Sequence, residues 1–253
     1  LIIVTPPETL IDPWAELRRA TRARIGLGRA GDAMRISDVL AFQHAHAKAR
    51  DAVHTRLDTA ALAAQIPGAI QVKSAAASRE IYLRRPDLGR QLHKDCFPQL
   101  APGDYDAVFV IADGLSATAV MQNAVPMLHA ALARLTDFKI APVVIATQAR
   151  VAIGDDIGAA LGGRLCAILI GERPGLTVAE SLGIYLTYAP APGTKDSARN
   201  CISNIHGKGG VSFARAADML SWLMHEALRR KLTGVNLKEA SALAAPEAMR
   251  ELG

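Results

Sequence analysis

Leu165-Cys166-Ala167-Ile168-Leu169-Ile170 runs without a charged side chain into Gly171-Glu172-Arg173-Pro174-Gly175. Six consecutive apolar residues stopped by Gly and Pro read as a strand buried on both faces. Open α/β sheets bind ligands at the carboxyl ends of such strands. Glu172 is therefore a carboxylate at a candidate ligand rim. Burial there is costly unless hydroxyl or amide donors reach it, or unless neighbouring Arg173 pairs with it.

Outward from this segment the chain alternates. A buried strand is expected over residues 105–112, where Val108, Phe109, Val110 and Ile111 follow one another. It ends in Asp113-Gly-Leu-Ser116. A helix over 117–135 follows, with Pro126 implying a kink or break. A second strand is expected over 141–146, and a short helix over 153–161 stopped by Gly162 and Gly163. After the third strand at 165–170 the pattern predicts a short helix over 174–182 and a fourth strand over 183–188. A Pro-rich loop over 189–194 comes next, then a long amphipathic helix over 212–231. The Ala-rich tail, 239–252, reads as a further helix or a frayed end.

This order predicts an α/β fold with a doubly wound, mostly parallel, Rossmann-like sheet. Right-handed crossovers would bring every strand's carboxyl end to one edge. Four polar clusters then collect there: Asp113–Ser116, Gln148–Val151, Gly171–Gly175 and Cys201–His206.

Residues 1–101 read as a helical, irregular N-terminal region, with the boundary at Pro98, Pro102 and Gly103 and the sheet domain over 102–253. Helices are expected over 9–19, from an N-cap at Ser37 to about residue 56, and over 87–97 after Pro86. His44 and His46 are two apart and do not share a helical face, so with His54 they read as surface or partner-contact residues.

The chain has 253 residues, half of them hydrophobic and only 4% aromatic, with a formal net charge of +5. That composition affords a large core of small side chains. The basic residues are dispersed and not interleaved with aromatics, so they build no nucleic-acid surface. Cys96, Cys166 and Cys201 match no zinc spacing, and an odd count argues against a disulfide framework. A reducing cytosol is the expected home. No apolar run is long enough for a transmembrane helix, and no signal peptide is read. Because the chain begins with Leu1, it is expected to start inside a longer product.

The residues alone leave the chemistry open. Gly-x-Ser-x-Gly and a Walker loop are both absent. Ser116 reads first as a helix cap and second as a ligand contact, and one hydroxyl can do both. Cys201 lacks an obvious base, and Cys166 reads as inert core. What remains is a polar, non-catalytic rim suited to a large ligand rich in amides and hydroxyls. A standalone nucleotide- or phosphate-binding enzyme and a non-enzymatic interaction module remain as alternatives.

These segments also resemble a known family. Leu17-Arg-Arg-Ala-Thr-Arg-Ala-Arg24 with Gly28-Arg-Ala-Gly31, and Tyr82-Leu-Arg-Arg-Pro-Asp-Leu-Gly-Arg90, are similar to segments of the small (light) subunit of ethanolamine ammonia-lyase. So are Asp113–Ser116, Arg150-Val151, Asp156-Ile-Gly158, Gly171–Gly175 and Cys201–His206, in the family's order. Nothing beyond Lys238 contributes. The resemblance implies a large barrel subunit as partner, with adenosylcobalamin held between the two. It implies radical conversion of ethanolamine to acetaldehyde and ammonia, and a hexamer of heterodimers. The family's cofactor contacts fall on Val151, Glu172 and Cys201, and Asp113, Ser116, Ser203 and Asn204 are further candidates. The family places the enzyme in the bacterial cytoplasm, in some organisms inside a bacterial microcompartment. No Asp-x-His-x-x-Gly string occurs. The cofactor is therefore expected base-on, with cobalt held by the corrin and the cofactor's own base.

Overall fold

The computed structural model describes residues 12–21 and 23–240. The expected tail helix lies almost wholly outside them. Two compact units divide at Lys48/Ala49. In the first, helix α1 (Ala15–Ala20) is followed by a two-residue antiparallel ribbon, β1 (Arg29–Ala30) and β2 (Ala33–Met34). Helix α2 (Ile36–His54) carries the chain across the division. Arg35 provides the carbonyl that receives Asp38 and Val39, so the helix starts just before the expected cap at Ser37.

The second unit opens with α3 (Thr59–Gln65), capped by Asp58, and β3 (Ile70–Lys73). Helix α4 (Arg79–Arg84), capped by Ser78, leads into two short 3-10 segments, Leu88–Arg90 and Lys94–Gln99. These replace the single helix expected over 87–97, because Gln91 turns extended after Gly89. Then come β4 (Tyr105–Ala112), α5 (Ala117–Leu132), β5 (Val144–Thr147), α6 (Ile153–Leu161) and β6 (Gly163–Gly171). The chain continues through β7 (Leu182–Tyr188), β8 (Arg199–Ile205) and α7 (Phe213–Arg230). Helix α5 runs unbroken through Pro126. Gly162, left-handed at φ 74°, ends α6 as expected.

The six-stranded sheet has the order β3-β5-β4-β6-β7-β8. β3 to β6 are parallel; β7 and β8 are antiparallel additions. Two expectations are corrected here. Residues 172–181 form no helix. Ten residues without a helix cannot make a parallel crossover, so β7 returns antiparallel and its carboxyl end lies at the opposite edge. β3 and β8 join the sheet from stretches not expected to be strands. β8 reverses again, so its carboxyl end rejoins the rim of β6.

Alternation along β4 builds both layers of the core. Ala107, Phe109 and Ile111 pack into the layer that includes residues of α3, α5 and α7. Val108, Val110 and Ala112 pack into the layer that includes α6. Residues 107–112 are all 0% exposed, which explains the continuous apolar run. Because α5 and α6 cover opposite faces, the loops after β4 and β5 diverge. A crevice at the carboxyl edge follows from that divergence.

Candidate functional site

Asp113 ends β4 at this crevice and is 2% exposed. Its carboxylate accepts from Arg79 Nη1 at 2.9 Å, and from the backbone amides of Gln148 at 2.8 Å and Ala149 at 2.9 Å. Burial pushes this carboxyl upward, opposed by Arg79 and the two amides. Asp113 therefore shapes the loop after β5, in which Gln148 adopts φ 56°. The Tyr82 hydroxyl, fully buried, lies 2.8 Å from the Gly114 carbonyl and 3.1 Å from that of Ala149. The Arg150 guanidinium lies 4.7 Å from the centre of the Tyr82 ring. The Gly89 carbonyl accepts the Arg150 amide at 2.7 Å. A Cβ at Gly89 would meet the Tyr82 ring at 2.7 Å and Arg150 Cγ at 3.1 Å. The Tyr82–Arg90 segment is thus the seat on which Arg150 and Val151 rest.

The end of β6 is fitted as closely. A Cβ on Gly171 would fall 2.1 Å from the Ser116 carbonyl oxygen and 2.6 Å from that of Asp113. The Gly171 carbonyl accepts the Leu115 amide at 2.9 Å. Ser116 caps α5 through the Ala119 amide and donates to the Ala179 carbonyl at 2.8 Å. It is fully buried, so capping and loop anchoring take up its hydroxyl.

Glu172 receives three donors. The Ser181 and Ser203 hydroxyls each lie 2.5 Å from its carboxylate, and the Asn204 amide lies at 3.2 Å. The expected alternative, a pair with Arg173, is not made: among the described residues Arg173 has no hydrogen bond or ion pair and is exposed. A bulge in β8 makes this possible. Between Leu182↔Ile205 and Ile184↔Ile202 the pairing gains one residue on β8, and Asn204 adopts φ 64°. Such a bulge re-aims side chains next to a site.

Val151 lines two adjoining cavities of about 420 and 520 Å³. Glu172 lines the smaller one. Arg150, Arg173 and Tyr185 line both. Cys201 lines neither, but it stands opposite Tyr185 across the β7/β8 ladder. Burial, with the neighbouring Cys201 and Glu172, pushes the Tyr185 phenol up to about 12, so it remains a donor at neutral pH. Cys201 is exposed. The packing around its sulfur still raises the thiol above its ordinary range, despite the hydrogen bond with Tyr185. Cys166 is buried and pushed up to about 12, an inert core thiol as expected.

The rim therefore brings Val151 and Glu172 to one space, with Ser203 and Asn204 holding Glu172; Cys201 stands outside that lining, across the ladder from Tyr185. Asp113 and Ser116 lie beneath it as positioning groups. Sequence reasoning assigned no role to Tyr185 or Arg150. Tyr185 gave a signal, as a polar-tipped residue alternating with Ile184 and Leu186. Two polar atoms at this edge, Gln148 Oε1 and Arg150 Nε, are buried without a partner. Such orphans, with the unfilled acceptor capacity of Glu172, suit a ligand bearing both donors and acceptors. No group of three or more His, Cys, Asp or Glu among the described residues is arranged to hold a metal ion.

The profile of the ethanolamine ammonia-lyase light chain matches residues 11–238. The chain belongs to that family. A relative described as ethanolamine ammonia-lyase small subunit, from Rhodopseudomonas palustris, is 49% identical, over 98% of this chain and 98% of its own. Small subunits from Azotobacter vinelandii and Ralstonia nicotianae are 48% and 47% identical. They cover 92% and 97% of this chain, and 90% and 95% of their own lengths. Membership in this light-chain family assigns the chain to a lyase. Among the described residues no helix is long and apolar enough to cross a membrane.

Proposed function

We propose that this chain, as the small subunit of ethanolamine ammonia-lyase, holds adenosylcobalamin at the carboxyl rim of its sheet against a large barrel subunit. The observation that carries this reading is the convergence of Val151, Glu172 and Cys201. They come from three separate segments: Val151 and Glu172 line adjoining cavities, and Cys201 faces across the β7/β8 ladder to Tyr185, which lines both. When bound, the cofactor supplies the radical for conversion of ethanolamine to acetaldehyde and ammonia.

The chain's own residues bind and orient. Glu172, fixed by Ser181, Ser203 and Asn204, accepts from an amide or hydroxyl of the ligand. Pre-alignment by three donors lowers the entropy lost on binding. Val151 gives an apolar wall, and Tyr185 offers a protonated hydroxyl. Cys201 is small and weakly polar and permits close approach. The cofactor is taken as base-on, from the lack of an Asp-x-His-x-x-Gly string in the sequence. None of these groups is assigned a chemical step: the substrate and reacting centre belong to the large subunit, and the functional assembly is a hexamer of heterodimers. A bacterial cytoplasmic enzyme, in some organisms inside a microcompartment, completes the reading.

Co-expression with a candidate large subunit tests this. The isolated chain should give no turnover of ethanolamine. The co-purified pair should release acetaldehyde only when adenosylcobalamin is added. Turnover by the isolated chain, or a pair whose activity ignores the cofactor, would refute it.

A further inference from the structure

Among the described residues, two guanidinium groups at the rim, those of Arg150 and Arg173, have no anionic partner. Arg150 is half-buried, its Nε enclosed without a partner, and its one aromatic contact is the Tyr82 ring at 4.7 Å. Arg173 is exposed and, among the described residues, makes no hydrogen bond or ion pair. Both line both cavities. The nearby carboxylates are engaged elsewhere. Glu172 is held by Ser181, Ser203 and Asn204. Asp196 pairs with Arg90 at 3.5 Å and Arg199 at 3.4 Å, and Asp155 binds Arg199 at 2.6 and 2.7 Å. Two like charges facing a common space repel each other until an anion lies between them.

We propose that Arg150 and Arg173 form a phosphodiester subsite that takes the phosphate in the nucleotide tail of cobalamin. The inference rests on the cobalamin reading above and deepens it. Arginine presents a planar fork of donors matched to phosphate oxygens, and a stacked guanidinium keeps that fork in one orientation. A single carboxylate inserted by the partner subunit would satisfy one fork. Two forks facing adjoining spaces of about 420 and 520 Å³ fit a larger, phosphate-bearing ligand better. The register also agrees: Arg173 directly follows Glu172 and Arg150 directly precedes Val151, so each cation stands beside a proposed cofactor contact.

The test uses the chain co-purified with its large subunit, titrated with cyanocobalamin and with cobinamide, which lacks the nucleotide and its phosphate. Arg150→Gln and Arg173→Gln should each weaken cyanocobalamin binding about tenfold and change cobinamide binding far less. Arg173 is exposed, so its variant keeps the test alive if Arg150→Gln disturbs the fold. The single phosphorus resonance of bound cyanocobalamin should move toward its free position in both variants. Equal weakening for the two ligands, or unchanged affinity with an unmoved resonance, overturns the subsite. Loss of large-subunit association alone also overturns it, in favour of a partner carboxylate. Glu172→Ala separates the layers. If it weakens cyanocobalamin while the arginine variants do not, this inference alone fails. If the wild-type pair binds no cobalamin, both fail.

Discussion

Asp113 sits at the centre of the residue-scale account, because one buried carboxylate joins Arg79 to the two amides that shape the Gln148–Val151 loop. Removing it leaves Arg79, itself 6% exposed, charged and without its counterion. Asp113→Ala should therefore cost about 3–5 kcal/mol, measured by urea unfolding. A loss below about 1 kcal/mol would mean that the pair adds little and that the loop is held by Tyr82 instead. Cys201 makes a second residue-scale prediction. Its thiol is raised, and only the thiolate reacts, so iodoacetamide should label it slowly at neutral pH. The rate should climb only above the ordinary thiol range. Fast labelling near pH 7 would show that burial and Glu172 do not act on it as described.

At the scale of elements, β4 is the strand on which both layers depend. Ile111 is 0% exposed and packs with the layer of α5 and α7. Ile111→Ala should cost about 2–5 kcal/mol, again by denaturant titration; a cost under about 1 kcal/mol would mean that this layer collapses readily around the gap. The β8 bulge is the element that binds the rim together. Asn204 holds φ 64°, a backbone region that β-branched residues avoid. Asn204→Val should lower stability by about 1–3 kcal/mol and loosen the Glu172 carboxylate, whereas Asn204→Gly should be nearly neutral in stability. Equal tolerance of both would remove the bulge from the account. β4, β6, α6 and α7 were legible from sequence because their apolar runs or periodic faces are strong. β3 and β8 were not. Ile70-Gln-Val-Lys is a four-residue edge strand, and Arg199–Ile205 interleaves polar residues in the pattern of a loop. The expected helix over 174–182 failed because the return to β7 is made by an extended loop anchored at Glu172 and Ser116.

Over the whole molecule, the mostly parallel sheet and its functional edge could be read from the order of strands and helices. The same order placed the clusters holding Val151, Glu172 and Cys201 on one edge, but only the family resemblance singled out these three as cofactor contacts, since the residues themselves carry no catalytic signature. What no sequence pattern carried was the support beneath them: Tyr82 under Arg150, Asp113 under Gln148 and Ala149, and the bulge that turns Ser203 and Asn204 onto Glu172. Each is a contact between segments dozens of residues apart. The second compact unit begins at Ala49, ahead of the expected boundary near residue 101, and its sheet takes in β3 from residues 70–73. We propose that the helical N-terminal region is where the large subunit docks.

The most direct measurement is an equilibrium titration of the two-subunit complex with adenosylcobalamin, comparing wild type with Glu172→Ala. The account predicts a dissociation constant about 10- to 100-fold higher in the variant, the loss of one charge-assisted hydrogen bond. An unchanged titration curve would take Glu172 off the cofactor and contradict the claim that this rim holds it.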